Sequence, residues 1–545
     1  MKILEYLEAN YLIFDGAMGS LLQQGGLKAG ELPELLNVTK PELIQDIHYH
    51  YYKNGANVVL TNTFGANPLK YAGQDYPLEM VIAQAIENAK VARERIDKQA
   101  FIAYDIGPLG QLLEPSGTLT FDEAYQCFER IVVEAIKHDI DAFVVETISD
   151  LMEAKAAILA IKEHSELPIF VTLTFEKNQR TLVGNDIISI VATLEGLRVA
   201  ALGLNCGFGP KEMLPLVQEF SKYTSLPLMV QPNAGMPTLE KSELKYDIDA
   251  FQFLEYMKAI IACNVQIVGG CCGTSYQHIN LLSDYLKHVP FRKPSLKEET
   301  IVCSGAKAVV VASDKVIRVG ERINPTGKEN LKQALLAKDY NYIIKEALKQ
   351  EEEGADILDV NVGIPKVDEG VLLKNNIQQI QSYVKIPLQI DSSSATAIKE
   401  ALHYYNGKAI INSVNGKDES LATVLPLVAK YGGVIIGLCL DENGLATTAA
   451  AKLKIARKIV TQAKAYGISN KDILIDTLTL TASAQQADVK ATLEAITLIK
   501  EELHVKTILG ASNVSFGLPY REVLNASFLS MAIYAGLDAC IINTG

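Results

Sequence analysis

One feature constrains this chain more than any other. A short β-branched or apolar run followed by a longer stretch with helical spacing recurs from one end of the 545 residues to the other. That alternation is the mark of βαβ units, because parallel neighbours need a crossover helix between them. The first series of strand-like runs lies near 11–14, 57–61, 101–105, 142–146, 168–174, 199–204, 227–231 and 265–268. A second lies near 318–323, 356–360, 387–390, 409–412, 434–439, 473–476, 506–510 and 539–542. Each series has eight members, and eight parallel strands alternating with helices close into a barrel. The expected fold is α/β: two tandem (β/α)8 TIM barrels, over 1–290 and 313–545, joined by a linker at 291–312. Within and beside that linker, 290–300 is charged and holds two prolines, whereas 307–313 is apolar and reads as a strand plugging or flanking the second barrel. No helical stretch follows the last strand run, so the second barrel is expected to be truncated at its C-terminal end.

Composition narrows the function classes. With 48% hydrophobic and 21% charged residues the chain is neither disordered nor collagen-like. A net charge of −13 disfavours nucleic acid and anionic membrane surfaces as partners. Glu5 and Glu8 interrupt what would have to be a signal core, and 434–440 is far shorter than the roughly 20 residues that span a bilayer. A cytoplasmic protein is expected. In such a reducing compartment, clustered cysteines point to metal or thiol chemistry rather than to disulfides.

Cys206 follows the sixth run in Gly-Leu-Asn-Cys-Gly, and the adjacent Cys271 and Cys272 follow the eighth in Gly-Gly-Cys-Cys-Gly. Barrel enzymes keep their chemistry at the C-terminal strand ends, where three soft thiolates suit Zn²⁺ with a fourth position left open. Vicinal cysteines reach one ion only where the chain bends sharply, which Gly269, Gly270 and Gly273 allow. The alternative is a set of buried thiols; it fits the isolated Cys127, Cys263, Cys303, Cys439 and Cys540 better than a vicinal pair between glycines. His48 and His50 stand two apart in a helical stretch and share no face, so they are expected at the surface or in packing.

Four motifs in order, Asp15-Gly-Ala-Met-Gly-Ser20, Thr61-Asn-Thr-Phe-Gly-Ala-Asn67, Asn205-Cys206 and Gly269-Gly-Cys-Cys-Gly273, make residues 1–290 resemble the zinc-dependent homocysteine S-methyltransferase family. The resemblance implies that Cys206, Cys271 and Cys272 hold zinc and that homocysteine takes the open position as thiolate. A free thiol with a pKa near 8.5 is only slightly ionised at neutral pH, so a metal would make the nucleophile. It also implies Asp15 and Glu146 as partners of the substrate ammonium, and N–H groups of the 16–20 turn, Gly19 and Ser20 among them, as donors to its carboxylate. Asn233 could reach the metal zone. On the residues alone, Asp15 could instead cap a helix, Glu146 could sit in a salt bridge, and Asn233 could be a turn residue.

The second series ends in polar residues: Asn324, Asp359, Asn361, Asp391, Asn412, Asp476 and Asn513. Any one could be a helix cap, but seven at strand ends suit a planar ligand with several N–H and carbonyl groups, such as a pterin. Through Gly320-Glu-Arg-Ile-Asn324, Gly354-Ala-Asp-Ile-Leu-Asp-Val-Asn361, Gln389-Ile-Asp-Ser392, Ile411-Asn-Ser413, Leu474-Ile-Asp476 and Gly510-Ala-Ser-Asn-Val-Ser-Phe516, residues 312–545 resemble the pterin-binding family of dihydropteroate synthases and methyltetrahydrofolate methyltransferases. By that resemblance Asp391, Asn412 and Asp476 hold the pterin edge. Asn324, Thr326, Gly327, Asp359, Asn361 and Arg521 complete the folate site, and Asn513 is the catalytic residue beside the N5 methyl group. Ser-Asn-Val at 512–514, where the synthases carry Ser-Arg-Lys, favours the methyltransferase branch.

In this order the two halves resemble the N-terminal modules of the cobalamin-dependent methionine synthase family. The resemblance implies that a methyl group passes from 5-methyltetrahydrofolate to cob(I)alamin, then from methylcobalamin to homocysteine. It also implies cobalamin-binding and reactivation modules on the same or another polypeptide. The nearest approach to the corrin motif Asp-x-His-x-x-Gly, at 46–51, lacks the glycine. A homocysteine methyltransferase using betaine or a sulfonium donor, and a noncatalytic zinc- or folate-binding protein, are the alternatives.

Overall fold

Strands wrapped in helices are buried on both faces, which is why these runs are almost continuously apolar. The computed structural model describes residues 1–28, 30–240, 243–312, 314–483 and 486–545, and the chain divides into units Met1–Lys297 and Glu298–Gly545.

In the first unit the runs form β1 (Leu12–Ile13), β2 (Val58–Leu60), β3 (Phe101–Ile106), β4 (Ala142–Ile148), β5 (Ile169–Leu173), β6 (Ala201–Asn205), β7 (Leu228–Gln231) and β8 (Ile267–Val268). All pair in parallel, and a bridge from Phe14 to Val58 brings β1 beside β2 and closes the ring. Residues two apart on a strand share a face, and Phe101 and Ala103, Ala142 and Val144, Phe170, Ala201 and Met229 fill the barrel. Continuing the same alternation puts Asp105, Glu146, Thr172, Asn205 and Gln231, all buried, in the next layer toward the C-terminal mouth. The packing therefore turns from hydrocarbon to polar within one strand step. Outer helices complete the unit: Phe121–Ala135, closed by a Thr120–Glu123 capping box, turns Phe128, Ile131, Val132 and Ala135 inward.

The second unit is a closed barrel of β9 (Ile317–Ile323), β10 (Ile357–Asn361), β11 (Leu388–Asp391), β12 (Ile410–Asn415), β13 (Val434–Leu438), β14 (Ile473–Asp476), β15 (Lys506–Gly510) and β16 (Ala539–Ile542). Val319, Ile357, Ile410, Val434, Leu474 and Ile508 form its core. The stretch 291–312 is divided in its allegiance. Its first part lies along the first unit, where Gln266 Nε2 donates to Arg292 O (3.0 Å) and Lys297 N to Ser225 Oγ (2.9 Å). The remainder makes an antiparallel hairpin, Thr300–Ser304 with Ala308–Val311, whose Val302 and Val311 join the second core. Ser313, the end of the apolar run expected there, lies outside the described residues. His48 is fully buried and His50 exposed. Among the described residues no helix is long and apolar enough to cross a membrane.

Candidate functional sites

Backbone hydrogen bonds stitch three strand ends of the first barrel together. Cys206 N donates to Gln231 O (3.1 Å), Cys271 N to Pro232 O (2.8 Å) and Ala234 N to Cys272 O (2.9 Å). The turn after β1 is tied in as well: Gly270 N donates to Asp15 O (3.0 Å) and Gly273 N to Ser20 Oγ (3.1 Å). Glycine is required in the cysteine loop, since a Cβ on Gly270 would lie 2.4 Å from Thr274 Oγ1, and Gly273 has a φ of +79° with the Tyr246 ring against its Cα.

Held this way, the sulfurs of Cys206, Cys271 and Cys272 all lie within 4.8 Å of one another, with Cys272 4.0 Å from each of the others. Three sulfurs at Zn–S distances of about 2.3 Å in tetrahedral geometry are about 3.8 Å apart, so the cluster has the spacing the ion demands. The charges agree. Hydrogen bonds from Cys271 and Cys272 pull the Cys206 thiol down to about 3, while the contact with Cys206 pushes Cys272 up to about 12 and Cys271 well above its usual range. Sulfurs this close resist ionising together, and a divalent cation among them would relieve that resistance. Asn233 Oδ1 is buried without a hydrogen-bond partner, and the Asn233 side chain also bonds Cys206. Tyr246 hydrogen-bonds Cys272 and was not foreseen, because it ends a hairpin (Pro237–Glu240 with Glu243–Tyr246) rather than a barrel strand.

Acids line the mouth beside the sulfurs. Asp15 Oδ2 accepts from Leu60 N (3.0 Å), and the following helix is capped by Ala17, so Asp15 is not its N-cap. Glu146 Oε2 accepts from Asn205 Nδ2 (3.3 Å), an amide and not a base. Burial, then the negative charge on Cys206, raises Glu146 to about 8; burial, opposed by the Leu60 N–H, puts Asp15 well above the usual range. Asp105, absent from the sequence reading, is buried with Oδ1 unpartnered and is raised by burial, then by Glu146 and Asp15. Its alternation with Phe101 and Ala103 was the available signal. Gly19 and Ser20 fall in the first turn of the helix Met18–Gln24.

In the second barrel the parallel register sets Asn361 beside Asp391 and Asp391 beside Asn412. Asn361 Nδ2 donates to Asp391 Oδ2 (3.1 Å), and one layer deeper Gln389 Nε2 donates to Asp359 Oδ1 (2.7 Å). Asp359 is raised by burial, then by Asp391. Asp476 ends β14 buried, its Oδ1 accepting from Leu478 N (2.7 Å), and burial lifts it to about 6. Asn324 caps its own loop by accepting from Thr326 N (3.1 Å), and Thr326 and Gly327 are exposed there. Asn513 is exposed on the short helical turn Ala511–Ser515 after β15. The Arg521 guanidinium binds that same turn, through Ser515 Oγ (3.1 Å) and Ser512 O (3.2 Å).

Residues 12–286 match the family model for homocysteine S-methyltransferase and residues 320–543 that for pterin binding enzymes. Methionine synthase of Mycobacterium tuberculosis is 31% identical over 574 residues, covering 99% of this chain and 48% of that protein. Methionine synthase of Mycobacterium leprae is 31% identical over 579 residues, with the same coverage of 99% and 48%. The chain thus spans about half the length of the curated relatives it matches. Among solved structures, metallated homocysteine methyltransferase MmuM of Escherichia coli is 23% identical with a TM-score of 0.46, over 52% of this chain and 99% of that one. Dihydropteroate synthase of Xanthomonas albilineans with 4-aminobenzoic acid is 18% identical with a TM-score of 0.36, over 45% of this chain and 92% of that one.

Proposed function

This chain belongs to the homocysteine S-methyltransferase family, and we propose that it methylates homocysteine with a methyl group drawn from 5-methyltetrahydrofolate. The observation that carries the reading is the meeting of three sulfurs within 4.8 Å beside a floor made of acceptors. Asp15, Asp105 and Glu146 offer carboxyls there, and Asp105 Oδ1, Gln231 Oε1 and Asn233 Oδ1 lack partners within the chain. A floor of acceptors calls for a ligand rich in N–H donors. The α-ammonium of an amino acid thiol meets that need while its sulfur reaches the cysteines.

Cys206, Cys271 and Cys272 would hold zinc in this reading, leaving a fourth position for the substrate sulfur, and Asn233 Oδ1 would meet the bound homocysteine. When bound, zinc supplies the Lewis acid that strips the thiol proton and keeps the sulfur nucleophilic at neutral pH. The chain does the rest. Asp15 and Glu146 orient the ammonium, Gly19 and Ser20 N–H groups meet the carboxylate, and the apolar barrel below excludes water. In the second unit Asp391, Asn412 and Asp476 accept from the pterin edge, with Asn324, Thr326, Gly327, Asp359, Asn361 and Arg521 framing the ligand. Asn513 orients the N5 atom as it gains a proton and gives up its methyl group. The methyl relay between the two sites would be supplied by cobalamin, held by a cobalamin-binding module and served by a reactivation module on the same or another polypeptide. A cytoplasmic setting keeps the thiols reduced.

Metal analysis of wild type and Cys206→Ala tests the scheme. The expected result is about one zinc in wild type, loss of zinc and of homocysteine methylation in the variant, and unimpaired methyl transfer from folate to free cob(I)alamin. Equal loss of both half-reactions would refute the division of labour.

A further inference from the structure

The folate reading leaves a deeply buried cation, Lys452, without a task. Lys452, in the first turn of the helix Ala449–Ala465, is almost wholly buried. Its three ammonium protons go to Thr477 O (2.8 Å), Leu478 O (2.8 Å) and Thr492 Oγ1 (3.0 Å). Asp488, equally buried on the helix Gln486–Leu503, stands 3.1 Å away as its counter-ion. The two carbonyls belong to the residues that follow Asp476. Leu478 is held at a φ of +52°, a region that a branched side chain rarely enters, and the N–H this exposes is the one that binds Asp476 Oδ1 at 2.7 Å. Thr492 Oγ1 adds a bond to Leu478 O (3.0 Å), and Asp488 Oδ2 accepts from Leu480 N (3.2 Å). The whole loop is gripped from beneath by one ion pair.

We propose that Lys452 is a positioning residue for the folate site: it locks the 477–478 turn so that Asp476 faces the ligand, with a buried positive charge beneath that turn. The inference rests on the assignment of Asp476 to the pterin edge. A carboxylate can accept from two neighbouring N–H groups of a pterin; a protonated carboxyl cannot. The groups facing Asp476 are few. Lys452 approaches from its helix with Asp488 behind it, Cys439 lies beyond β13 with its thiol pushed well up by burial, and the Gly510 N–H donates from β15. Burial drives Asp476 up to about 6, while the Leu478 N–H and the Lys452 charge hold it down. Without the cation, the loss of binding in acid would begin nearer neutral pH.

The test is the pH profile of 5-methyltetrahydrofolate binding to the full chain between pH 5 and 9. Lys452→Met alone would strand a buried carboxylate, so it is combined with Asp488→Leu, which removes both charges together. The midpoint for loss of binding in acid, near 6 in wild type, should rise by roughly one unit or more in the double variant. In Asp488→Asn the cation acts unopposed and the midpoint should fall. A uniform loss of affinity at every pH, with the midpoint unmoved in both variants, would reduce Lys452 to a structural prop and overturn the proposal. Asp476→Asn separates the two readings. If it leaves affinity and profile unchanged, the assignment of Asp476 fails; if it weakens binding while the Lys452 and Asp488 variants do not shift the profile, only the positioning role fails.

Discussion

Glu146→Gln is expected to raise the stability of zinc-stripped protein and to weaken homocysteine binding in zinc-loaded protein. Glu146 is buried at the mouth, and its carboxyl is raised from 4.5 to about 8 by burial and then by the charge on Cys206. The sign follows from proton counting. Below the unfolded value both states carry the proton; between 4.5 and about 8 the unfolded chain releases it and the folded chain keeps it. Stability therefore falls with rising pH across that window, by about 1.4 kcal/mol per unit. At pH 7 the loss is on the order of 3 kcal/mol, an upper figure because the charge is shared with the Cys206 sulfur. Glutamine keeps the acceptor that Asn205 Nδ2 uses and cannot ionise, so the slope disappears. Urea denaturation from pH 4.5 to 8 should show the variant equal to wild type at the acid end and increasingly more stable toward neutrality. In zinc-loaded protein the same change removes an ammonium partner, and truncating a buried charged pair costs about 3–5 kcal/mol. Homocysteine affinity should drop by about two orders of magnitude or more, while 4-mercaptobutyrate, which lacks the amine, binds as before. A variant destabilised equally at every pH would show that Glu146 is not held against ionisation, and equal loss with both thiols would remove it from the ammonium subsite.

Two further outcomes follow from the geometry. Asn513→Ala should slow methyl transfer from folate to cob(I)alamin in single-turnover kinetics far more than it weakens folate binding by calorimetry, because an exposed amide orients N5 without being needed to hold the pterin edge; an effect on affinity alone would contradict that role. Gly273→Ala places a methyl group against the Tyr246 ring at a φ of +79°, so the cysteine loop must shift; zinc should be surrendered to a chelator at least about tenfold more readily, a loss of about 1.4 kcal/mol, and unchanged retention would mean the loop is not held by this contact.

Much of this was legible in the residues because it depends on local pattern. The strand runs and their C-terminal ends follow from β-branched clusters and alternation, and the glycines around Cys271 and Cys272 announce a bend. What stayed hidden depends on contacts between distant segments. Tyr246 meets Cys272 only because a hairpin after β7 folds over the mouth. Lys452 sits among Lys454, Arg457 and Lys458 and reads as part of a solvated helix face; its burial comes from the helix Gln486–Leu503 packing over it. Asp105 lay within reach of the alternation argument, yet no turn or cap marks it as special. Arg521 was assigned to the folate site through the family resemblance, and in the fold its guanidinium binds the turn that carries Asn513.

The two mouths meet the same electrostatic difficulty in opposite ways, and the difference tracks the ligands. Both gather buried acids: Asp15, Asp105 and Glu146 in one barrel, Asp359, Asp391 and Asp476 in the other. Each group is raised chiefly by burial, so each set resists full ionisation. An amino acid brings its own ammonium, so the first barrel can leave Asp105 Oδ1 without a partner until the substrate arrives. A pterin edge carries donors but no full positive charge, so it cannot stabilise a carboxylate to the same degree. The second barrel must supply the cation from within, and Lys452 beneath the 477–478 turn meets that requirement. Homocysteine binding should then ionise acids of the first mouth and release protons at neutral pH, from those carboxyls and from its own thiol. Folate binding should follow the ionisation of Asp476, releasing a proton below about pH 6 and almost none at neutral pH. Calorimetry in buffers of different ionisation enthalpy measures both quantities, and equal proton linkage for the two ligands would refute the contrast.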